Sequence, residues 1–453
     1  MTTSKTEKIG SFVFVLAVLF LVFVAGAVLT LAKLPPTQFI GDAYEAALAL
    51  FQQKTAYRDP VQTNFWNPAR SKQRGVTILD AQRVQPGYTL YTSADCGCAR
   101  LINARGDLIY EWDKPYSTVW HKGAAVKDPV RDEQVFMREA RVYPNGDLLA
   151  LYIAAGDSPY GYGVVKIDRD SKLIWTYLEH THHDIDIGPD GRIYTLTQAF
   201  KTKPIEELEG LETPYSDEAV AVLSPEGKQL QHIPMISALV HSKYEELLER
   251  QPHHPFNPLH TNGIELITAV NQDNFPFGEP GDVLLSFRNI NTVAVLDLDS
   301  EQIIWAKHGY WLQQHDADLL ANGDIMVFDN YGHFVDNNFS RVLEFNPVTM
   351  KRTWVYHGSK EHPLYSEIRS AAQRLPNGNT LITESNGGRL LEVTPDDDIV
   401  WEYYNPVRAT EDGTVYTPVV SSGLRIDPGY FTPEFRALLG KHRDSQNAQP
   451  PAP

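Results

Sequence analysis

Between Phe12 and Ala32 the chain runs 21 residues without a charge, bounded by Lys8 and Lys33. At about 1.5 Å rise per residue that is long enough to cross a ~30 Å hydrocarbon layer as one helix, and longer than the apolar stretch of a cleaved signal peptide. The pattern predicts a cytoplasmic tail over 1–11, a transmembrane anchor over 12–32 and a stalk over 33–85, with an Ala-rich helical stretch around Asp42 to Lys54. Lys5 and Lys8 precede the span and only Lys33 follows closely, which places the N-terminus in the cytoplasm and the remainder in the periplasm or otherwise outside the cytoplasm. No later segment is apolar for long enough to cross again.

After residue 86 the periodicity changes to short apolar runs between Gly-containing turns, many of them closing on a tryptophan. Copies run from Gly87 to Trp112, Pro144 to Trp175, Pro189 to Leu230, Gly281 to Trp305, Ala321 to Trp354 and Pro376 to Trp401. Trp305, Trp354 and Trp401 are 49 and 47 residues apart, and the 130 from Trp175 to Trp305 fit two units with an insertion. About four short strands per unit of this length is the signature of a β-propeller, whose modules bury their faces only against one another. The fold class expected is all-β, a six-bladed β-propeller over 86–430 preceded by one N-terminal transmembrane helix. The recurring Trp fills the wedge between blades, and 431–453 forms a tail disordered at its end, from about residue 440.

Composition narrows the partners. A net charge of −17 over 453 residues gives no long-range attraction to nucleic acid. Two cysteines, Cys96 and Cys98, are too few for a Cys-rich metal site, and their spacing is compatible with one disulfide or with two buried thiols. No metal or cofactor is expected, contact with the membrane is expected through the single helix, and protein partners and oligomeric state are not readable.

In a propeller the innermost strand of each blade lines a central channel. Just upstream of the turns stand Arg141, His182-His183-Asp184-Ile185-Asp186, His260-Thr261-Asn262, Gln314-His315-Asp316-Ala317-Asp318 and Arg369 to Arg374. Three successive units thus offer a histidine at one place, a convergence that a lone core histidine would not produce. Alternation puts Asp184, Asp186, Asp316 and Asp318 on the opposite strand face from the histidines, where they would brace the inner strands.

These segments resemble the PAPS-independent arylsulfate sulfotransferases of the bacterial periplasm. The likeness is carried by His182 to Asp186 with Pro189-Asp190-Gly191, by His260 to Ile264, by Leu285-Ser286-Phe287-Arg288-Asn289 with Thr292 to Val295, and by Gln314 to Leu320 with Asn322-Gly323 and Phe328-Asp329-Asn330. The resemblance implies that His315 is the nucleophile that becomes sulfated, that His260 and Arg288 grip the sulfuryl oxygens and that His183 assists proton transfer or anion binding. It further implies an aryl sulfate donor and a phenolic acceptor. Asn262, Arg369, Arg374 and Arg141 are expected to bind substrate, and because the net charge of −17 opposes an anionic donor, Arg288, Arg369, Arg374 and Arg141 are expected to form a local positive funnel. Two other functions fit the residues alone: a hydrolase or oxygenase with a metal on the three histidines, which the neighbouring Arg288 disfavours, and a membrane-anchored scaffold.

Overall fold

A computed structural model of the protein describes residues 14–24, 26, 29, 61, 63–205, 211, 213–249, 256–272, 274–332 and 340–447. The chain divides into two units, Met1–Gln62 and Thr63–Pro453. In the first, residues 14–24 are helical and expose Phe14, Phe20 and Phe23 to surroundings. Among the described residues no helix is long and apolar enough to cross a membrane. The rest of the expected span, and the helical stretch expected around Asp42 to Lys54, lie outside the described residues.

The second unit is all-β, with a β-propeller-like arrangement. Its described strands form six antiparallel sheets of four or five strands and one small three-stranded sheet. The second sheet begins with Val135–Val142, the third with Thr181–Ile187, the fourth with Thr261–Leu266, the fifth with His315–Leu319 and the sixth with Ala371–Arg374. The first sheet is completed out of sequence: Val420–Ile426 pairs with Tyr88–Ser93, so the end of the chain supplies its innermost strand. These six inner strands touch in succession, and the last closes on the first.

Adjacent inner strands share no backbone ladder, so side chains make the junctions. Ile264 N–H donates to Asp184 Oδ2 (3.0 Å) and Leu266 N–H to Asp186 Oδ2 (2.8 Å). Leu319 N–H donates to Glu265 Oε2 (2.5 Å), Ala372 N–H to Asp316 Oδ2 (2.7 Å) and Arg425 N–H to Gln373 Oε1 (2.7 Å). Ser422 Oγ donates to Glu139 (2.6 Å), and Arg141 spans the remaining junction to Asp184 at 3.5 Å. At the rim, the recurring Trp clasps the next sheet. Trp112 Nε1 donates to Gly146 O (2.9 Å), Trp175 to Pro225 O (3.1 Å), Trp354 to Pro395 O (3.2 Å) and Trp401 to Ala104 O (2.8 Å).

Two segments differ from the sequence-based expectation. Residues 63–85 are not free stalk: Trp66–Pro68 pairs with Thr414–Pro418, Gly75–Leu79 adds a fifth strand to the sixth sheet, and Phe65 is buried. The apolar positions Phe65 and Val76 need a partner, and the body supplies it. The tail is likewise structured through Pro433–Asn447, a helix whose Phe435 and Leu439 bury against the first two sheets, while 448–453 lie outside the described residues. A Cβ on Gly146 would stand 2.4 Å from Phe435, so that turn needs glycine for space as well as for its φ of +89°. Cys96 and Cys98 are joined as a disulfide.

If the carboxylate stitches hold the ring, Asp316→Ala leaves the Ala372 N–H buried and unpaired. It should lower the unfolding free energy in a urea titration by about 1–3 kcal/mol. Asp316→Asn keeps an acceptor oxygen and should cost clearly less; equal losses in the two variants would contradict the stitch.

Candidate functional site

Five of the six inner strands carry an irregularity near their start, Ala371–Arg374 being the regular one. The register shifts between Met137 and Glu139, His182 and Ile185, Thr261 and Gly263, His315 and Ala317, and Val420 and Ser422. At the same level His183, His260, Asp316, Arg369 and Ser370 hold positive φ between +51° and +80°. Left-handed backbone costs a non-glycine residue about 1–2 kcal/mol, so its concentration at one end of the channel marks a site that the surrounding fold over-determines. The bulges also break period-two alternation. Asp184, Asp186 and Asp316 nevertheless brace the inner strands as expected, each accepting a backbone N–H of the next one, and Asp184 feels the charge of Asp316.

Three histidines meet there. The His183 ring centroid is 4.9 Å from that of His260 and 6.4 Å from that of His315. A neighbouring amide sets the tautomer of His315. Asn330 Nδ2 donates to Ser366 O (2.8 Å) and Arg369 O (3.0 Å), which turns Oδ1 toward His315 Nδ1 at 2.8 Å. His315 is therefore protonated on Nδ1 and presents the Nε2 lone pair, toward which the Arg369 N–H points at 3.2 Å. At His260, Asn257 Nδ2 stands 2.8 Å from the ring Nδ1. The hydrogen bonds of His183 use Nδ1, with Tyr160 Oη at 3.3 Å and His182 Nδ1 at 2.7 Å.

Burial first, then the Arg288 charge, holds the His315 imidazole well below its ordinary pKa, and burial with His260 does the same for His183. Both rings are neutral at pH 7. Arg288 donates to Asn289 Oδ1 (2.9 Å) and Gln313 Oε1 (2.6 Å), neutral acceptors, and its Nε is buried without a hydrogen-bond partner. Arg369 lies 4.2 Å over the Phe65 ring with Nη1 buried and unpartnered; burial and the adjacent Arg138 push its pKa down to about 9. Among the described residues, none of Arg138, Arg288 and Arg369 has a carboxylate within ion-pair distance, and no group of three or more His, Cys, Asp or Glu is arranged to hold a metal ion.

The structure thus gathers His183, His260, His315, Arg288 and Arg369. Asn262 stands beside them but spends its Nδ2 on Gln314 O (2.8 Å), holding the backbone next to His315. Arg141 and Arg374 are not in the cluster. Arg141 pairs with Glu139 and Asp184 farther down the axis, and Arg374 pairs with Glu344 at 2.6 Å; both line a separate cavity of about 430 Å³ with Arg425 and Tyr430. Burial raises the carboxyls of that lower tier, Asp184 to about 7 and Asp316 to about 6, and Glu265 and Asp318 well above the usual range.

Sequence reasoning missed Arg138, Tyr160, Asn257, Gln313 and the part played by Asn330 and Phe65. Arg138 carried a readable signal, because Arg138-Glu139 repeats the base-then-acid pair of His183-Asp184 and His315-Asp316 at the same point of the module. The others sit in turns with no periodicity.

None of the curated proteins compared with the chain matches it. Among solved structures the chain is similar to a Bacteroides caccae protein of unknown function, at 13% identity and TM-score 0.46 over 74% of this chain and 99% of that one. It is also similar to the WD40 β-propeller domain of Doa1, at 9% identity and TM-score 0.38 over 81% and 99%. A third is the virginiamycin B lyase of Staphylococcus aureus, at 12% identity and TM-score 0.34 over 59% and 69%. Residues 141–406, which carry all three histidines with Arg288 and Arg369, match the family model Arylsulfotransferase (ASST), and the chain belongs to that family.

Proposed function

We propose that the protein transfers a sulfuryl group from an aryl sulfate to a phenolic acceptor through a sulfohistidine on His315, in the channel of a six-bladed propeller closed by Val420–Ile426. The observation that carries this reading is the orientation of His315. Asn330, anchored by two bonds of its Nδ2, leaves the ring a lone pair at Nε2 beside His183, His260 and Arg288. A neutral imidazole needs no proton removed before attack.

In the first half-reaction His315 Nε2 forms the N–S bond as the S–O(aryl) bond breaks and the electron pair leaves with the aryl oxygen. A neutral ring and a sulfate monoester anion become a zwitterionic N-sulfo-imidazolium and an aryloxide, so charge is conserved. The His260 N–H and the Arg288 guanidinium stabilise the sulfuryl oxygens, at a few kcal/mol for each well-placed donor (about 3 kcal/mol). In the second half-reaction a phenol passes its proton to His183 while its oxygen attacks sulfur. The N–S electrons return to His315, and His183 sheds the proton to solvent.

The apolar run 12–32 and the Cys96–Cys98 disulfide support an anchored protein whose propeller works in an oxidising compartment outside the cytoplasm. Protease added to spheroplasts should then degrade the propeller; full protection would reverse the assignment.

Purified protein mixed with 4-nitrophenyl sulfate and phenol should release nitrophenolate with ping-pong kinetics. His315→Ala should lose at least about a thousandfold in kcat. Mass spectrometry after donor alone should find a labile +80 Da sulfonate, about one per chain, on His315. Full turnover by His315→Ala would overturn the nucleophile.

The pH profile follows from the depressed imidazoles. A group whose pKa lies below the ordinary ~6.5 stays unprotonated as pH falls through that value. kcat/KM should therefore be flat from about pH 8 to about pH 6, and an acid limb centred near ~6.5 would contradict the depression of His315 and His183.

A further inference from the structure

A sulfate monoester brings one negative charge to the channel. In the proposed reaction Arg288 and His260 serve the sulfuryl oxygens and His183 takes the phenol proton. Arg369 remains. It is 7% exposed, its Nη1 has no hydrogen-bond partner, and its charge is felt at His315 and at Tyr160. The charged and titratable groups that bear on Arg369 are Arg138, which repels it, and Tyr160, which burial keeps neutral. Arg138 has its own partners, the Ser421 carbonyl at 2.5 Å and the field of Asp316. Glu218, the acid closest in influence on Tyr160, is pushed up to about 7 by burial and spends Oε2 on the Thr261 N–H.

A buried guanidinium without a counter-charge is costly, and folds keep such a group where an anion will meet it. The side chain is also held. Phe65 stacks against one face at 4.2 Å, and Phe65 is itself fixed by edge contact with Phe136 at 4.7 Å and by the Val419 N–H bonded to its carbonyl at 2.9 Å. The main chain of Arg369 sits at φ +62° with its carbonyl bonded by Asn330, the same amide that orients His315. The guanidinium fork is therefore registered to the nucleophile.

We infer that Arg369, braced by Phe65, is the recognition point for a second anionic group on the aryl substrate, so that the acceptors are phenols bearing a carboxylate and the donors are their sulfate esters. The inference rests on the sulfuryl-transfer reading. Donor and acceptor share one site in a ping-pong exchange, so both carry the same group. A carboxylate meets the fork bidentately, which a neutral ester of the same size cannot do.

The test uses the full chain with 4-nitrophenyl sulfate as a common donor and compares 4-hydroxybenzoate with methyl 4-hydroxybenzoate as acceptors. The acid should be preferred in kcat/KM by about tenfold or more. Arg369→Gln should bring the ratio close to unity, and Arg369→Lys, which keeps the charge without the fork, should leave an intermediate ratio. Thermal shift gives a readout without turnover: the acid, and not the ester, should raise the melting temperature of the wild-type protein, and the rise should vanish in Arg369→Gln. A wild-type ratio near one with normal nitrophenolate release overturns the inference and leaves sulfuryl transfer standing. A preference that survives in Arg369→Gln moves recognition to another residue and also overturns it. No turnover with any donor and acceptor instead defeats the reading on which the inference rests.

Discussion

Everything in the second unit depends on how six inner strands meet without pairing. A ladder would need their backbone edges side by side, whereas a ring turns each edge toward a neighbour that has its own partners in its own sheet. The exposed N–H groups are met by carboxyl and amide oxygens reaching across: Asp184 and Asp186 to the fourth sheet, Glu265 to the fifth, Asp316 to the sixth, Gln373 to the first. Glu139 and Arg141 hold the second sheet to its two neighbours. Acids at these positions are structural before they are anything else, and burial raises several of them so that the axis does not carry their full charge.

That constraint places the site. To aim a carboxylate sideways at the next strand, the backbone bulges, and the bulge throws the preceding residue toward the open end of the channel. Arg138 precedes Glu139, His183 precedes Asp184, and His315 precedes Asp316, so the polar tier at the mouth follows from the stitching tier below it. The same distortion carries the positive φ of His183 and Asp316.

The repeat, the Trp positions and the place of the three histidines were legible because each rests on spacing, and spacing survives folding. Trp112 and Trp401 lie fully buried on the outermost ladders where a constant period puts them. The bulges were not legible: a bulge adds one residue to one strand, and nothing in His183-Asp184 announces the addition, although the bracing role expected of Asp184 and Asp316 stands. Arg141 and Arg374 read as site residues because they stand on inner strands, but their partners Glu139 and Glu344 are long-range and invisible to a local pattern. Phe65 and the closing strand Val420–Ile426 were hidden for the same reason, each being joined to elements hundreds of residues away. The arylsulfotransferase match begins at residue 141, after Arg138 and Phe65, so those two contributions come from parts of the chain outside the matched segment.

In a chain of net charge −17, the buried arginines around the histidines set a local field opposite to the global one. The channel achieves this by segregation along its axis. The arginines of the lower tier are neutralised, Arg141 by Glu139 and Asp184, while the arginines at the mouth face neutral amides, a carbonyl, an aromatic ring and neutral imidazoles. The cations and His315 are thereby coupled: charges that would attract an anion are the ones that, with burial, keep a proton off its imidazole. Reversing either property would damage the other, since a carboxylate placed near Arg288 to relieve its burial would raise the histidine's proton affinity and weaken the pull on the donor at the same time. The mouth is consequently built with amides where an ordinary protein surface would place acids, and Asn330, Asn289, Gln313 and Asn257 fill that role around a single imidazole trio.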